Sequence, residues 1–249
     1  MALVHLVLST AEKLTAGQPT APQISLSNKA YLMIRERILR GQLRPGEVLS
    51  RRGLAEEFGM SLLPISEALK QLESDKLVES RPRAGTRVRL PSPDEIRGRC
   101  VVREALEAQS ARLCCERATM KERLELLRLA EQLDTLYNRL QDSGKDIDLQ
   151  FVVHVHHMEL HMRIAEYARC PELEDAIERN HVLIYNWFFD IAAERRSLPR
   201  AFHRNLLETI TGGDVRAADE AMRAHVQYGV EETLEKIVPR LKTDWRLRR

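Results

Sequence analysis

Aromatic residues make up only 5% of this 249-residue chain, and it has just 11 glycines and 10 prolines. Sheet-rich folds with many tight turns need more of these residues, so a globular, mainly helical chain is expected. Four cysteines, Cys100, Cys114, Cys115 and Cys170, form no paired CxxC spacing. That excludes a disulfide-dense scaffold and points to a reducing cytoplasm. Cys114 and Cys115 are adjacent, so they are not expected to face one core together; small buried or half-buried thiols are the expectation, and a redox sensor is the rival. No apolar run approaches the ~20 residues of a membrane span. The opening MALVHLVLST lacks a basic leader and a clear cleavage site and is not read as a signal peptide. Neither an HExxH nor an activated-nucleophile pattern is present.

Net charge is also nearly missing, at +2 over the whole chain, but the balance conceals a division. Residues 28–92 carry 13 Lys and Arg against 8 Asp and Glu, whereas 93–249 carry 25 against 28. The basic excess therefore lies on one segment, as phosphate binding requires.

Within that segment, Leu49 to Val88 has two short helical stripes, Leu54, Ala55, Phe58 and then Ile65, Leu69, Leu72, separated by Gly59. Ser50 and Ser61 precede the stripes as candidate caps. Leu77 and Val78 begin a strand-like run and Thr86 to Leu90 supplies another, with a turn at Arg83, Ala84 and Gly85 between them. The order is helix, turn, helix, wing. Such a unit can place a helix in the major groove while a basic hairpin meets the neighbouring backbone or minor groove. The candidate DNA-contacting set is Arg35, Arg51, Arg52, Ser61, Ser66, Lys70, Arg81, Arg83, Gly85 and Arg87. Ser27 is expected to cap a preceding helix from about Asn28 to Arg40, where Arg35 reads either as a phosphate contact or as a solvated charge.

Residues 28–90 resemble the GntR superfamily of bacterial transcription regulators. The matching stretches are Tyr31 and Ile34, ILRGQLRPGEVLS, LAEEFGMS and PISEALKQLESDKLVESRPRAGTRV. One departure bears on specificity. Where the family usually has Ser-Arg-Thr-Pro-Val-Arg-Glu-Ala-Leu, this chain has Ser61-Leu62-Leu63-Pro64-Ile65-Ser66-Glu67-Ala68-Leu69. Loss of an arginine that reads a guanine edge removes ~1 to 3 kcal/mol of discrimination per contact. Leucines there suit thymine methyl groups, so an unusual operator is expected over a paralogue that has lost DNA binding.

Four regions are expected: a flexible arm at 1–27, a winged helix-turn-helix of three helices and a two-stranded wing at 28–90, an all-helical domain at 91–240, and a loose basic tail at 241–249. In the third, Ser92-Pro93-Asp94-Glu95 is a strong helix start. Six helices follow, over Asp94–Arg117, Met120–Gln141 with a Thr119/Glu122 capping box, Asp146–Arg169, a fourth opened by Pro171, a fifth opened by Pro199, and a last one from Asp214 to Pro239. An antiparallel six-helix bundle is the economical fold.

Of eight histidines, four crowd into FVVHVHHMELH. Helical spacing puts His157 and His161 on one face, the geometry of a two-ligand metal clip, while His156 points away. The bundle resembles the C-terminal FCD domain of the FadR-like branch of GntR regulators, through VVREALEAQSARL, ELHMRIAEYARCPEL and FHRNLLETITGGDVRAADEAMRAHV. That resemblance places His161, His203 and His225 on three family histidines. A fourth family ligand, usually Asp, is His157 here, and Cys170 stands where Asn is usual. The resemblance thus implies a divalent metal held by His157, His161, His203 and His225, with His154 as an outer support. Exchange of a carboxylate for an imidazole favours Zn or Ni over Mn or Mg. Neutral ligands leave the ion's charge uncompensated, which would attract a small carboxylate effector. Arg103 is the expected second anchor for it; an ion pair with Glu107 is the competing role. Trp187, Tyr185 and Phe188 read as pocket wall or core. The expected whole is a cytoplasmic homodimer that binds a palindromic DNA operator under metabolite control. A metal-dependent hydrolase and a purely structural metal are the rivals, although Glu159, the one acid within the clip, turns away from His157.

Overall fold

The computed structural model describes residues 24–81, 85–143, 146–180, 198–232 and 234–235. The chain divides into two compact units, one ending at Pro91 and the other beginning at Ser92.

The first unit opens with α1, Leu26–Leu39, whose Ser25 hydroxyl accepts from the Asn28 amide at 3.1 Å. The expected cap, Ser27, instead lies inside the first turn, because the stripe Ala30, Ile34, Ile38 extends far enough toward the N-terminus for the helix to start two residues earlier. A short strand β1, Val48–Leu49, precedes α2, Arg51–Phe58, and α3, Leu62–Ser74. Ser50 caps α2 through the Gly53 amide at 3.1 Å. Gly59 ends α2 in the left-handed region at φ +62°, a conformation that disfavours any side chain. Ile65, Ala68, Leu69 and Leu72 of α3 are buried together with Ala30, Ile34 and Ile38 of α1.

The wing consists of β2, Val78–Arg81, and β3, Gly85–Val88, paired antiparallel with Val78 opposite Val88 and Arg81 opposite Gly85. The wing is two-stranded as expected, and β1 adds a third strand to the sheet at the other edge of β3, with Val48 opposite Arg87 and Leu49 opposite Thr86. The two residues of β1 are too few to show an alternating pattern, so no periodicity signalled this strand.

The second unit contains α4, Pro93–Arg117, α5, Met120–Ser143, α6, Ile147–Tyr167, a helical stretch at 171–180, α7, Phe202–Thr211, and α8, Val215–Gln227. The starts are set by local chemistry. Ser92 and Glu95 form a reciprocal capping box, Thr119 and Glu122 another, and Asp146 and Asp214 accept from the first amides of α6 and α8. The expected last helix to Pro239 is interrupted after Gln227, where Gly229 takes φ +71°. Cys114 and Cys115 both enter the core, against expectation, because α4 is covered on more than one side and two neighbours about 100° apart are both enclosed. Burial pushes the Cys114 thiol up to about 12, which argues against a redox sensor at this position. Among the described residues no helix is long and apolar enough to cross a membrane.

The described part of the second unit is thus a helical bundle, and the expectation of a mainly α chain with a winged helix-turn-helix holds. Residues 1–23 of the expected arm, Arg83 and Ala84 of the expected turn, the Tyr185, Trp187 and Phe188 wall, and the basic tail lie outside the described residues, whereas Leu26 and Ser27, expected in the arm, belong to α1 and Gly85 opens β3.

Candidate metal centre and nucleic-acid face

Three helices of the second unit deliver the histidines. α6 carries His157 and His161 one turn apart, with ring centroids 4.7 Å from each other. α7 places His203 at its second residue, and α8 places His225 in its last turn. All four are buried, His203 completely. His157, His203 and His225 each bring a ring nitrogen within 4.8 Å of the others. His161 joins through Nε2, 3.0 Å from His157 Nε2 and 3.2 Å from His225 Nε2, while His157 Nε2 and His225 Nε2 are 3.4 Å apart.

Those separations suit metal ligation. An ion bound by imidazoles at about 2.0–2.1 Å, with ligand angles of about 90–110°, spaces its nitrogens about 2.9–3.4 Å apart. Hydrogen bonding alone does not account for the cluster, since each imidazole nitrogen has a single in-plane lone pair or a single proton. Three Nε2 atoms at these distances cannot all be satisfied by one another. The fourth, His203 Nε2, is buried with no hydrogen-bond partner among the described residues, which is costly unless something else occupies its lone pair. The donor set therefore fits a metal ion.

Two carboxylates that were not anticipated as part of the centre orient it. Asp134 on α5 accepts from His203 Nδ1 at 2.7 Å, from the His203 amide at 3.1 Å and from the Arg204 amide at 3.0 Å. Ala201 precedes α7 in a left-handed conformation and provides no side-chain cap, so Asp134 caps α7 from another helix while fixing the ring that α7 carries. Burial alone would raise the Asp134 pKa, but the His203 ring and the two amides together outweigh it and hold the carboxyl below its ordinary value. Glu107 on α4 places Oε2 2.5 Å from His161 Nδ1, and its Oε1 accepts from Arg103 Nε at 2.6 Å.

With the protons assigned to these Nδ1 atoms, His161 and His203 turn bare Nε2 lone pairs inward. Burial, reinforced by the neighbouring imidazoles, drives His157 and His225 well below the ordinary imidazole value, so these two are neutral near pH 7. The ring of Tyr137 stacks on His203 at 5.1 Å, and Phe202 stacks on His225 at 4.9 Å. His154 is buried nearby in sequence on α6, and His156 turns away to meet the Val152 carbonyl at 2.8 Å.

Arg103 is occupied by Glu107, the competing role weighed for it, and is mostly enclosed. The sequence did contain a signal for both carboxylates. Asp134 falls in the otherwise apolar stripe Leu126, Ala130, Leu133 of α5, and Glu107 sits beside Ala108 and Ala111 on the buried side of α4. An acid on a core face needs a partner.

On the first unit, Arg51, Arg52, Ser61, Lys70, Arg81 and Gly85 are exposed, and Ser66 and Arg87 are partly so. The wing cations share an acid, for Arg87 pairs with Glu79 and Arg81 lies 3.9 Å from it. Ser61 makes no side-chain cap bond. Arg35 is not on this face: it is 5% exposed, with its guanidinium 5.9 Å from the Tyr31 ring centroid. It lies off the apolar stripe of α1 yet is covered by the surrounding fold, so the expected phosphate contact is corrected to an interior position.

Comparison with known proteins agrees with this division. Residues 26–88 match the family described as bacterial regulatory proteins, gntR family, and residues 100–228 match the FCD domain. The chain is 25% identical over 235 residues to the HTH-type transcriptional repressor RspR of Escherichia coli, covering 93% of this chain and 96% of that one. It is 24% identical over 206 residues to the HTH-type transcriptional regulator YdhC of Bacillus subtilis, covering 81% and 88%. In fold it is similar to a GntR transcriptional regulator from Rhodococcus sp. RHA1, with TM-score 0.69, 17% identity and coverage of 84% and 97%. It is also similar to E. coli McbR/YncC, with TM-score 0.68, 22% identity and coverage of 86% and 99%.

Proposed function

Because this chain belongs to the gntR family of bacterial regulatory proteins and carries an FCD domain, we propose that it is a DNA-binding transcription regulator controlled by a small carboxylate bound beside a metal ion. The families and relatives are regulators, not enzymes, so the hydrolase reading is set aside. The observation that carries the proposal is the convergence of four imidazoles, two of them backed by carboxylates, in one buried cluster.

His157, His161, His203 and His225 would hold the ion, and Zn or Ni suits an all-imidazole set better than Mn or Mg. When bound, the ion supplies a Lewis-acidic point charge that an anion can approach. Glu107 and Asp134 reduce the positive charge expected from the ligands alone. With a divalent ion and Arg103 counted, one positive charge is left over, and a monocarboxylate matches it. Glu107 holds Arg103 beside the cluster, within reach of a carboxylate that competes for it.

Effector and DNA would each favour one arrangement of a cytoplasmic homodimer, and the difference in affinities is the coupling. Two-fold symmetry predicts a palindromic operator contacted by Arg51, Arg52, Ser61, Ser66, Lys70, Arg81, Arg83, Gly85 and Arg87. The test is elemental analysis and native mass of protein taken directly from cells, followed by titration of its upstream DNA with small acids. A bound ion, a co-purified acid and an acid-dependent shift in DNA affinity are expected. DNA binding indifferent to every acid would overturn effector control. The burial of all four histidines favours one second reading, a structural ion that ties α6, α7 and α8 together. Replacing His203 and His225 by Ala would then unfold the second unit, whereas a sensor would remain folded and lose its response.

A further inference from the structure

The first two residues of α3 do not follow the helix's own pattern. Ile65, Ala68, Leu69 and Leu72 fill its buried face, yet Leu62 is 51% exposed and Leu63 is 67% exposed. Single exposed leucines are ordinary. Two side by side, at the end of the helix that a helix-turn-helix unit presents to DNA, form an apolar ledge at the position where base edges are read.

Ser66, one turn on from Leu62, turns its hydroxyl to the backbone. The Ser66 hydroxyl donates to the Leu62 carbonyl at 2.8 Å, so its proton is committed to the helix backbone. Arg51, Arg52, Lys70 and Arg81 are exposed on the same unit, along with Glu56, Glu57 and Glu67, and residues 28–92 keep a basic excess of 13 Lys and Arg over 8 Asp and Glu. A ledge of two leucines is far smaller than the several hundred Å² of a protein-binding patch, and the basic excess of the unit that carries it selects a polyanion. DNA is therefore the favoured occupant.

In the major groove, the thymine C5 methyl is the one apolar feature among the edges of the four bases. We infer that Leu62 and Leu63 are specificity-determining residues that read thymine methyl groups, so that each operator half-site is marked by C5 methyls and not by guanine edges. A chemical corollary follows. 5-Methylcytosine carries its methyl at the same ring position, so it satisfies the ledge where cytosine does not.

This inference rests on the DNA-binding reading, and one experiment separates the two. The full-length protein selects an operator from a randomised duplex library, and the enriched duplex is resynthesised with dU for dT, or with cytosine or 5-methylcytosine, at each position in turn. Loss of a contacted methyl should weaken binding about fourfold, the equivalent of one buried methylene group. 5-Methylcytosine should recover that loss relative to cytosine. A variant with Leu62→Ala and Leu63→Ala should melt like the native protein, because both side chains are exposed, and should bind dT and dU duplexes alike. Equal binding of dT and dU duplexes by the native protein would overturn the inference and leave the DNA reading standing. No enriched duplex at low salt, or a change of assembly state in the double variant, would overturn it in favour of a protein-facing ledge.

Discussion

The two units place the side chains proposed for function on opposite sides of the burial divide. In the first, Arg51, Arg52, Leu62, Leu63 and Lys70 lie outside a core built from other residues of the same helices. In the second, His157, His161, His203, His225, Glu107 and Asp134 are all buried, and some also perform structural work, as Asp134 does in capping α7. An exposed surface tolerates sequence change at little cost in stability, and Leu62, Leu63 and Ser66, which stand where the resemblance has Arg, Thr and Arg, all lie at least partly exposed. A buried centre lacks that tolerance, because each polar atom there needs a partner. The exchange of a carboxylate for His157 is accompanied by the outer carboxylates already described.

The contrast can be tested, starting where it should be greatest. Asp134→Ala removes three hydrogen bonds to an ionised acceptor, and should cost the metal-free protein about 3 kcal/mol, read from urea unfolding. An unchanged midpoint would mean that the second unit tolerates change as the first does. Lowering the pH comes next. His157 and His225 are neutral in the fold below the ordinary value of 6.5, where the unfolded chain takes up protons. Stability of the metal-free protein is therefore full above pH 6.5 and falls as the pH drops below it, by up to about 2.7 kcal/mol per pH unit for the two groups. Denaturant midpoints on either side of that value measure it, and a flat profile would show that the rings are solvated.

Glu107→Gln should weaken Zn²⁺ binding about 10- to 100-fold, because it removes the carboxylate charge beside His161 Nδ1. Competition against a chromophoric chelator reads that loss directly. The smallest stability effect belongs to the first unit: Arg51→Ala and Arg52→Ala should each leave unfolding within about 0.5 kcal/mol. Each phosphate contact removed this way should also lower the slope of log affinity against log salt by about one. A marked loss of stability would show that the face is part of the fold.

The helix-turn-helix was legible because its signals are local. Gly59, the Ser50 cap and the stripe of α3 lie within one short stretch, as do the helix starts at Ser92, Thr119, Asp146 and Asp214. The spacing of His157 and His161 was equally plain, and the resemblance to a known family supplied His203 and His225 as candidates. β1 was not legible, since two residues show no period, and Arg35 was misplaced because helical phase does not reveal what other segments cover. Asp134 and His203 are 69 residues apart in the chain, and no pattern within either helix announces the partner.

By itself, then, the sequence determined which segments are helices, where those with a polar cap at Ser50, Ser92, Thr119, Asp146 and Asp214 start, which segment carries the basic excess and which imidazoles were available, because caps, periodicity and charge act between near neighbours. Only the tertiary structure decided that four ring nitrogens converge, that Asp134 and Glu107 stand behind two of them, and that Arg35 is enclosed while Leu62 and Leu63 are not. Convergence and burial depend on how separate helices pack, and packing answers to the whole core rather than to any one stretch.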